Sequence, residues 1–348
     1  MSESSPSEVL LDMIHGYQAS QMVYVAAKLG IADILKHGPM SAKEVACAVA
    51  ADEAQMFRFL RGLVEHRVLT RNSDGRFALT EIGEVLRTDR PSSMHDYVLF
   101  VDSEAMYQAW GGLLRNVQTG EVAFERANGV GFFDYCVQNP EFGARFNRLA
   151  GRRTSTVAAS IVAAYDFSSA SQIMDVGGGN GSLLAEILEA NPKLNGILFD
   201  MESVIADARH YLQERGVSAR CELISGSFFD SIPRADGTYI LKSILHDWDN
   251  AHCIRILENC RRCMAATSKL LVVERVIPEQ IDRAKGAIAS DLAMMVMLGG
   301  AERTEAEFRA LFQAAGFELV RVIPTKSDRS VLECRHISAG AAIGAQLM

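Results

Sequence analysis

The sequence predicts an α/β fold: a Rossmann-like, mainly parallel sheet of seven strands that follows an N-terminal, mainly helical winged-helix domain. Two observations indicate the sheet. From residue 172 onward, strand-length apolar runs alternate with amphipathic helical runs, which is the order that a parallel sheet requires. Between the first strand and the next helix, residues 177–181 contain four glycines, as in the tight turns of nucleotide-binding sheets. Before residue 96, helical periodicity and one hairpin pattern indicate the separate domain.

Composition and charge exclude several classes of protein. The chain has 348 residues, enough for two domains, and its 49% hydrophobic and 22% charged residues are typical of soluble globular proteins. The net charge of −8 disfavours nucleic-acid binding, and no apolar run reaches the roughly 18–20 residues of a membrane span. Seven scattered cysteines and a polar start without a secretory signal predict a cytoplasmic protein. Cys260 and Cys263 have the spacing of a redox or zinc pair, but no second pair accompanies them, so we assign no site there.

The first domain, residues 1–95, is predicted from helix signals followed by one hairpin. Ser41 and Glu44 have the spacing of a capping box, in which each side chain bonds the backbone N–H of the other residue. Asp52 is a further helix-capping residue. The predicted helices cover residues 9–36, 42–50 and 53–65, and the predicted hairpin strands cover 68–70 and 77–80.

Three helices and a hairpin form a winged-helix pattern, which in some proteins binds DNA. A recognition helix needs basic and amide side chains, whereas helix 42–50 offers only Lys43. We therefore predict a packing and homodimerisation domain, and no nucleic-acid partner. A winged-helix regulator that senses a small molecule is the alternative from another class of protein.

Residues 96–164 are predicted to be helical and rich in large apolar side chains, with breaks at Gly129, Gly131 and Pro140. Such a segment can join two domains and cover a pocket for an aromatic ligand. The side chains chosen as candidates for the pocket wall are Trp110, Phe133 and Phe146.

The third region, residues 165–337, supplies the sheet. Strands are predicted at 172–176, 195–200, 221–226, 237–243, 269–276, 317–324 and 330–337, the last two as a hairpin. Helices are predicted at 182–190, 203–215, 250–265, 284–297 and 304–315. The tail, residues 338–348, is weakly patterned, and we expect it to be disordered.

The glycine-rich loop distinguishes between two cofactors. A dinucleotide fingerprint would place its third glycine at position 182, which is Ser182, whereas the glycine here is Gly181. Asp175 precedes the loop, and its carboxylate would repel a pyrophosphate but attract an ammonium group. Asp200 ends the next strand, where an acid can bind ribose hydroxyls. These residues predict S-adenosylmethionine (SAM) rather than NAD; the alternative is a structural turn with a solvent-facing Asp200.

Other strand ends complete the predicted cofactor site, because ligands of open α/β sheets bind at the carboxyl ends of the strands. Ser227 and Phe228 follow the third strand, where they can contact the edge of an adenine and stack on its ring. Lys242 ends the fourth strand, and Met201 follows the acid of the second. The candidates for cofactor binding are therefore Asp175, Gly177, Gly179, Gly181, Asp200, Met201, Ser227, Phe228 and Lys242.

His246, which follows the fourth strand, is the candidate general base. Imidazole titrates near pH 6.5 and can take the proton of a phenol, whose pKa near 10 keeps it protonated and weakly nucleophilic at neutral pH. Glu274 and Glu302 are placed where a carboxylate can orient the ring, whereas Asp247, next in sequence, is expected to point elsewhere. The alternative is that His246 and Asp249 cap the following helix, the role that we prefer for Asp249.

A metal site is disfavoured, because ligands so close in sequence rarely converge on one ion; the side chains concerned are His246, Asp247, Asp249 and Asn250. On the acceptor side, we predict an apolar wall of Met294, Met295, Met297 and Leu298. Flexible methionines suit flat ligands, and core packing is the alternative role for them.

Several of these segments together resemble the SAM-dependent small-molecule O-methyltransferases, a family typified by plant caffeate and flavonoid enzymes and by bacterial polyketide-tailoring enzymes. The resemblance extends from about residue 10 to residue 337. The motifs that carry it are Asp175–Gly181 (DVGGGNG), Phe199-Asp200, Gly226–Phe229 (GSFF), Leu241–Trp248 (LKSILHDW), Val273–Pro278 (VERVIP) and Gly299–Thr304 (GGAERT).

The resemblance implies a Rossmann-like SAM domain, an N-terminal dimerisation domain and a homodimer whose subunits share the substrate pocket. It implies methyl transfer to a hydroxyl group on a small aromatic substrate, with His246 as base flanked by Glu274 and Glu302. It also implies S-adenosylhomocysteine as the product and no metal. N- or C-methylation, and a winged-helix regulator that senses SAM, are the alternatives.

Two positions depart from the family pattern. The family usually has Asp where this chain has Ser227, and a hydroxyl accepts a weaker, neutral hydrogen bond. We therefore expect weaker SAM binding than in a relative with the acid. Met201-Glu202-Ser203 stands where the family often has Leu-Pro, so the start of the next helix can differ.

Overall fold

The computed structural model describes residues 5–280, 284 and 286–337. The chain divides into two compact units, Met1–Gln108 and Ala109–Met348. The predicted tail, 338–348, lies outside the described residues, and the predicted boundaries after residues 95 and 164 stay predictions. In the described part of the chain, no helix is both long and apolar enough to cross a membrane.

The first unit is mainly helical and contains the predicted hairpin. Ser41 and Glu44 form the predicted capping box, and the Asp52 carboxylate accepts a hydrogen bond from the N–H of Gln55. Its elements are α1 (Pro6–Lys28), α2 (Ile31–Leu35), α3 (Ala42–Ala48), α4 (Glu53–Glu65), β1 (Leu69–Arg71), β2 (Phe77–Leu79), α5 (Glu81–Glu84) and α6 (His95–Val101). β1 and β2 pair antiparallel, as predicted.

The apolar side chains of this unit lie in two different environments. Val45, Leu60, Leu63 and Phe77 are fully buried in its core. The first half of α1 instead exposes its apolar side chains, of which Met13 is 72% exposed. The exposed set is Val9, Leu10, Leu11, Met13, Ile14 and Tyr17.

Helices also open the second unit, as the sequence predicts. Gly129 ends one of them with a φ of 78°, and Pro140 occupies the first turn of the longest. These helices are α7 (Glu104–Gly111), which spans the boundary between the units, α8 (Leu113–Thr119), α9 (Ala123–Asn128), α10 (Phe132–Gln138) and α11 (Pro140–Ala164).

The seven predicted strands form one sheet. They are β3 (Gln172–Val176), β4 (Asn195–Asp200), β5 (Cys221–Ser225), β6 (Thr238–Lys242), β7 (Lys269–Glu274), β10 (Phe317–Pro324) and β11 (Ser330–His336). Their order is β10-β11-β7-β6-β3-β4-β5, parallel from β7 to β5 and antiparallel at β10 and β11. The helices of this region are α12 (Ser182–Ala190), α13 (Glu202–Glu214), α14 (Asn250–Cys263), α15 (Ala287–Met297) and α16 (Glu305–Ala314). α15 contacts α8 and α9 rather than the sheet.

Several predicted strand ends differ from the observed ones by one residue, and one differs by two. β7 ends at Glu274 rather than at residue 276, because the next residues form a separate parallel pair, β8 (Val276–Ile277) with β9 (Arg303–Thr304). A strand of two residues has too few positions to show a period, so no sequence pattern predicts it. α13 begins at Glu202, one residue before the predicted start, with Met201 at its N-cap.

The order of the sheet reverses at β3. From there β4 and β5 extend to one side, and β6 and β7 extend to the other. At such a switch point the loops after neighbouring strands diverge and leave a crevice at the carboxyl ends. The predicted cofactor residues follow these strands, so the fold places them around that crevice.

Candidate active site

The glycine-rich loop joins β3 to α12 and needs glycine for its conformation. Gly177, Gly179 and Gly181 have φ values of 70°, 61° and 79°, a region that other residues rarely adopt. A Cβ on Gly177 would also lie 2.5 Å from Cδ1 of Ile244. At Gly179 no atom lies within 4 Å of that position, so this part of the loop is open to a ligand.

Asp175, directly before the loop, is a buried acid. Both of its carboxylate oxygens are without a hydrogen-bond partner among the described residues. Burial raises the pKa of Asp175 to about 7, although the Lys242 ammonium opposes the shift. A buried polar group without a partner requires an explanation, and the ammonium group of a SAM methionine moiety fits this acid.

Asp200 ends β4, and its carboxylate binds the backbone of the glycine-rich loop. Its Oδ2 accepts a hydrogen bond from the N–H of Gly179 at 2.8 Å, and its Oδ1 accepts one from the N–H of Met201 at 2.7 Å. Burial raises the pKa of Asp200, and these two backbone donors oppose the shift. The two oxygens keep lone pairs that can accept from ribose hydroxyls.

The remaining predicted cofactor residues are distributed around the crevice. Phe228 lies 3.5 Å from the position that a Cβ on Gly177 would occupy. The Ser227 hydroxyl accepts from the N–H of Phe229 at 3.2 Å. Lys242 is half-buried, and its Nζ donates to Oγ1 of Thr154 on α11 at 2.6 Å.

His246 and Glu274, far apart in the chain, meet at the carboxyl ends of β6 and β7. His246 Nδ1 lies 2.6 Å from Oε2 of Glu274. The other oxygen, Oε1, accepts from the backbone N–H groups of Ile244 and Leu245, each at 2.9 Å. Glu274 is fully buried, so its carboxylate fixes both the imidazole ring and the turn that carries it. The capping role belongs to Asp249, which accepts from the N–H of His252.

Asp247 does not point away from the ring, contrary to our expectation. Its Oδ1 lies 3.2 Å from Nε2 of His246, because the two residues share a short 3-10 turn that brings neighbouring side chains together. A neutral imidazole donates from one nitrogen only, so contacts to two carboxylates are satisfied by the imidazolium. Burial lowers the pKa of His246, but Glu274 and Asp247 outweigh it and raise the pKa to about 10.

Glu302 lies beside this pair, held by groups that the sequence did not suggest. Its Oε1 accepts from Ser290 Oγ at 2.7 Å and from Arg275 Nη1 at 3.2 Å. Glu302, Glu274 and His246 each place one atom within 4.8 Å of the others, a grouping that can bind a metal. The Arg275 guanidinium next to Glu302 disfavours a divalent cation there.

Arg303 is a further residue near the candidate base that the sequence analysis did not identify. Its buried guanidinium donates to the carbonyl oxygens of Leu245 and Trp248, each at 2.8 Å, and to Oδ1 of Asn250. It therefore holds the turn that carries the candidate base from both sides. Gly300, three residues before Arg303, packs against the same turn. A Cβ at this position would lie 2.1 Å from the carbonyl oxygen of His246.

An aromatic cluster surrounds Trp248. Phe133 stacks on the Trp248 ring at a centroid distance of 5.6 Å, and Phe146 lies 6.3 Å from Phe133. Trp110 is 37% exposed on α7. On α15 and directly after it, Met297 is buried, whereas the half-buried side chains are Met294, Met295 and Leu298.

Comparison with known proteins identifies the family. Residues 110–318 match the O-methyltransferase domain, and residues 11–89 match the O-methyltransferase dimerisation domain. The phenazine O-methyltransferase of Lysobacter antibioticus is 43% identical over 331 residues, which are 95% of this chain and 96% of that protein. The phenazine-1-carboxylate N-methyltransferase of Pseudomonas aeruginosa is 31% identical over 314 residues, 90% of this chain and 92% of that protein.

Solved structures of similar proteins share the fold of this chain, and one of them contains SAM. The mitomycin 7-O-methyltransferase is 36% identical, with a TM-score of 0.90 and coverage of 95% of this chain and 97% of that chain. An O-methyltransferase from neocarzinostatin biosynthesis, crystallised with SAM and 2-hydroxy-5-methyl naphthoic acid, is 31% identical with a TM-score of 0.83, covering 91% and 96%. This chain therefore belongs to the O-methyltransferase family and is a SAM-dependent methyltransferase of secondary metabolism.

Proposed function

We propose that the protein methylates a phenolic hydroxyl group of a small aromatic metabolite, with His246 as the general base. The observation that carries the proposal is the contact between His246 Nδ1 and Glu274 Oε2 at 2.6 Å. A carboxylate on Nδ1 fixes the tautomer and stabilises the positive charge that the ring gains with a proton. Nε2 is then the nitrogen that accepts the proton of the hydroxyl group.

SAM, when bound, supplies a methyl group on a sulfonium. The chain's own residues have to position the hydroxyl and remove its proton as it attacks. A general base contributes roughly 10²–10⁴ to such a step. Holding the hydroxyl oxygen, the methyl carbon and the sulfur in line increases the rate further, without any change in the acidity of the hydroxyl group.

Oxygen is preferred over nitrogen as the acceptor atom because of this base. A phenol with a pKa near 10 keeps its proton at neutral pH, whereas an aromatic amine attacks with a free lone pair and can release its proton later. N-methylation is the second candidate, since the family includes the Pseudomonas aeruginosa N-methyltransferase.

The proposal assigns roles to the other residues of the crevice. Asp175 binds the ammonium group of the methionine moiety, Asp200 the ribose, and Ser227 and Phe228 the adenine. The remaining donor-side residues are Gly177, Gly179, Gly181, Met201 and Lys242. The acceptor side is formed by Trp110, Phe133, Phe146, Met294, Met295 and Leu298.

The homodimer belongs to the same proposal. Residues 11–89 match a dimerisation domain, and the first half of α1 exposes six large apolar side chains. An exposed apolar patch on a folded domain is typical of an interaction site. A cytoplasmic location stays our expectation from the scattered cysteines.

Radiolabelled SAM and matched acceptors test the proposal. The hydroxyl- and amino-substituted forms of one polycyclic aromatic compound are compared as acceptors, with the wild-type protein and His246→Gln. We expect label in the hydroxylated compound and a loss of about 10²–10⁴ in the variant, while calorimetry shows unchanged S-adenosylhomocysteine binding. Label in the amine alone, or unchanged turnover in the variant, would contradict the proposal.

A further inference from the structure

Two consecutive residues of α15 hold Glu302. Its backbone N–H donates to Oδ1 of Asp291 at 2.9 Å, and its Oε1 accepts from Oγ of Ser290 at 2.7 Å. The Glu302 side chain is fully buried, so these contacts are shielded from water. Because one helix turn binds both the backbone and the carboxylate of Glu302, the direction of the carboxylate is fixed.

Arg275 fixes the same pair from another element. It directly follows Glu274, the residue whose carboxylate contacts the candidate base. Its Nη1 donates to Oγ of Ser290 at 2.6 Å and to Oε1 of Glu302 at 3.2 Å. Its Nε donates to Oδ2 of Asp328, in the turn before β11, at 2.8 Å. Asp328 therefore anchors one side of the guanidinium, and the other side orients Ser290 and Glu302.

The second oxygen of Glu302 is left free by these contacts. Oε2 is buried and has no hydrogen-bond partner in the described part of the chain. One Glu302 oxygen lies within 4.8 Å of a ring nitrogen of His246 and of an oxygen of Glu274. At such a separation, in a buried site, the charge of a carboxylate favours a protonated imidazole.

We propose that Ser290 and Arg275 are positioning residues for methyl transfer, which direct Glu302 so that it stabilises His246 as the ring takes the hydroxyl proton. Both act through Glu302 and not on the donor or the acceptor. Once the acceptor is bound, the ring gains its positive charge during the proton transfer. An anion held beside it therefore favours the transition state over the ground state. The inference rests on the proposed role of His246 as base.

A double-mutant cycle on Ser290 and Glu302 tests the inference, with radiolabelled SAM and the hydroxylated acceptor of the preceding experiment. Ser290→Ala should reduce kcat by about tenfold or more, the usual share of a hydrogen bond to a charged group. Calorimetry should show the same S-adenosylhomocysteine affinity as in the wild type. In the Glu302→Gln background, Ser290→Ala should cost less than about twofold, because the carboxylate that it orients is gone. Ser290→Thr keeps the hydroxyl group and should restore most of kcat.

Asp328→Asn tests the outer end of the same arrangement. Asp328 is 49% exposed, so the change spares the core while it loosens Arg275. It should reduce kcat by up to about fivefold, and only while the Glu302 carboxylate is present. The matched control is Ser103→Ala, which removes a half-buried hydroxyl that donates to the carbonyl of Phe100 and should leave kcat unchanged. Melting of each ligand-free variant checks the fold.

Three results would overturn the inference: equal losses from Ser290→Ala with and without the Glu302 carboxylate, a loss in S-adenosylhomocysteine affinity instead of kcat, or an unchanged kcat. If Ser290→Ala does not fold, Asp328→Asn is judged by the same criteria in the same two backgrounds. The proposed base fails separately. Unchanged turnover in His246→Gln rejects the base, whereas additive losses in the cycle beside an impaired His246→Gln variant reject only the positioning role.

Discussion

The carboxylate of Asp247 lies 3.2 Å from Nε2 of His246, the nitrogen that the proposed mechanism uses as the base. Glu274 occupies Nδ1 on the other side of the ring. In this arrangement the imidazole is charged, and Asp247 stands where an acceptor hydroxyl would bind. In the proposed mechanism, the acceptor therefore has to displace Asp247 before His246 can take its proton.

Asp247→Asn should shift the pH dependence of methyl transfer. The Asp247 carboxylate raises the pKa of His246, so the neutral amide should lower that pKa, and the unprotonated base should form at lower pH. We expect the acidic limb of the kcat/KM profile to move down by about one pH unit. Asp230→Asn, a change at an exposed acid, serves as the control. An unchanged profile would show that Asp247 does not act on the base.

Arg303→Met should loosen the turn that carries His246. The change leaves the buried carbonyls of Leu245 and Trp248 without their donor, at a cost of about 2–4 kcal/mol in the free energy of unfolding. Urea unfolding measures this cost. Arg335→Met, which removes an exposed pair with Glu318, should cost less than about 1 kcal/mol. Equal costs for the two variants would contradict the role of Arg303 in holding the turn.

Gly300→Ala should impair catalysis more than donor binding. Its Cβ would lie 2.1 Å from the carbonyl oxygen of His246, so the turn has to move. A shift of about 1 Å in a reacting group can reduce kcat by roughly 10², which steady-state kinetics would detect, while the S-adenosylhomocysteine affinity should stay close to that of the wild type. Gly16→Ala, where a Cβ meets no atom within 4 Å, should leave kcat unchanged. A fully active Gly300→Ala variant would argue against a fixed position for the base.

Ser227→Asp should tighten SAM binding. A carboxylate accepts a stronger hydrogen bond from an adenine amino group than a hydroxyl does, and the difference corresponds to about fivefold in Kd. Ser231→Asp, a nearby exposed position, adds the same charge and should have little effect. Calorimetry that shows no tightening in Ser227→Asp would mean that Ser227 does not contact the adenine.

Local patterns predicted the sheet and much of the crevice. The alternation of strands and helices predicts all seven strands of the sheet. Because parallel strands end at a common edge, the approach of His246 to Glu274 follows from sequence position alone. The short pair β8–β9 escapes such reasoning, since it depends on contacts between distant segments.

By itself, the sequence determined the fold class, the glycine-rich turn and the identity of the candidate base, because each depends on neighbouring residues and on the order of the elements. Only the tertiary structure decided which groups surround that base. Arg303 binds backbone carbonyls, which every residue has, so no residue type marks its partners in the sequence. Such contacts join segments more than fifty residues apart, and no local periodicity encodes them.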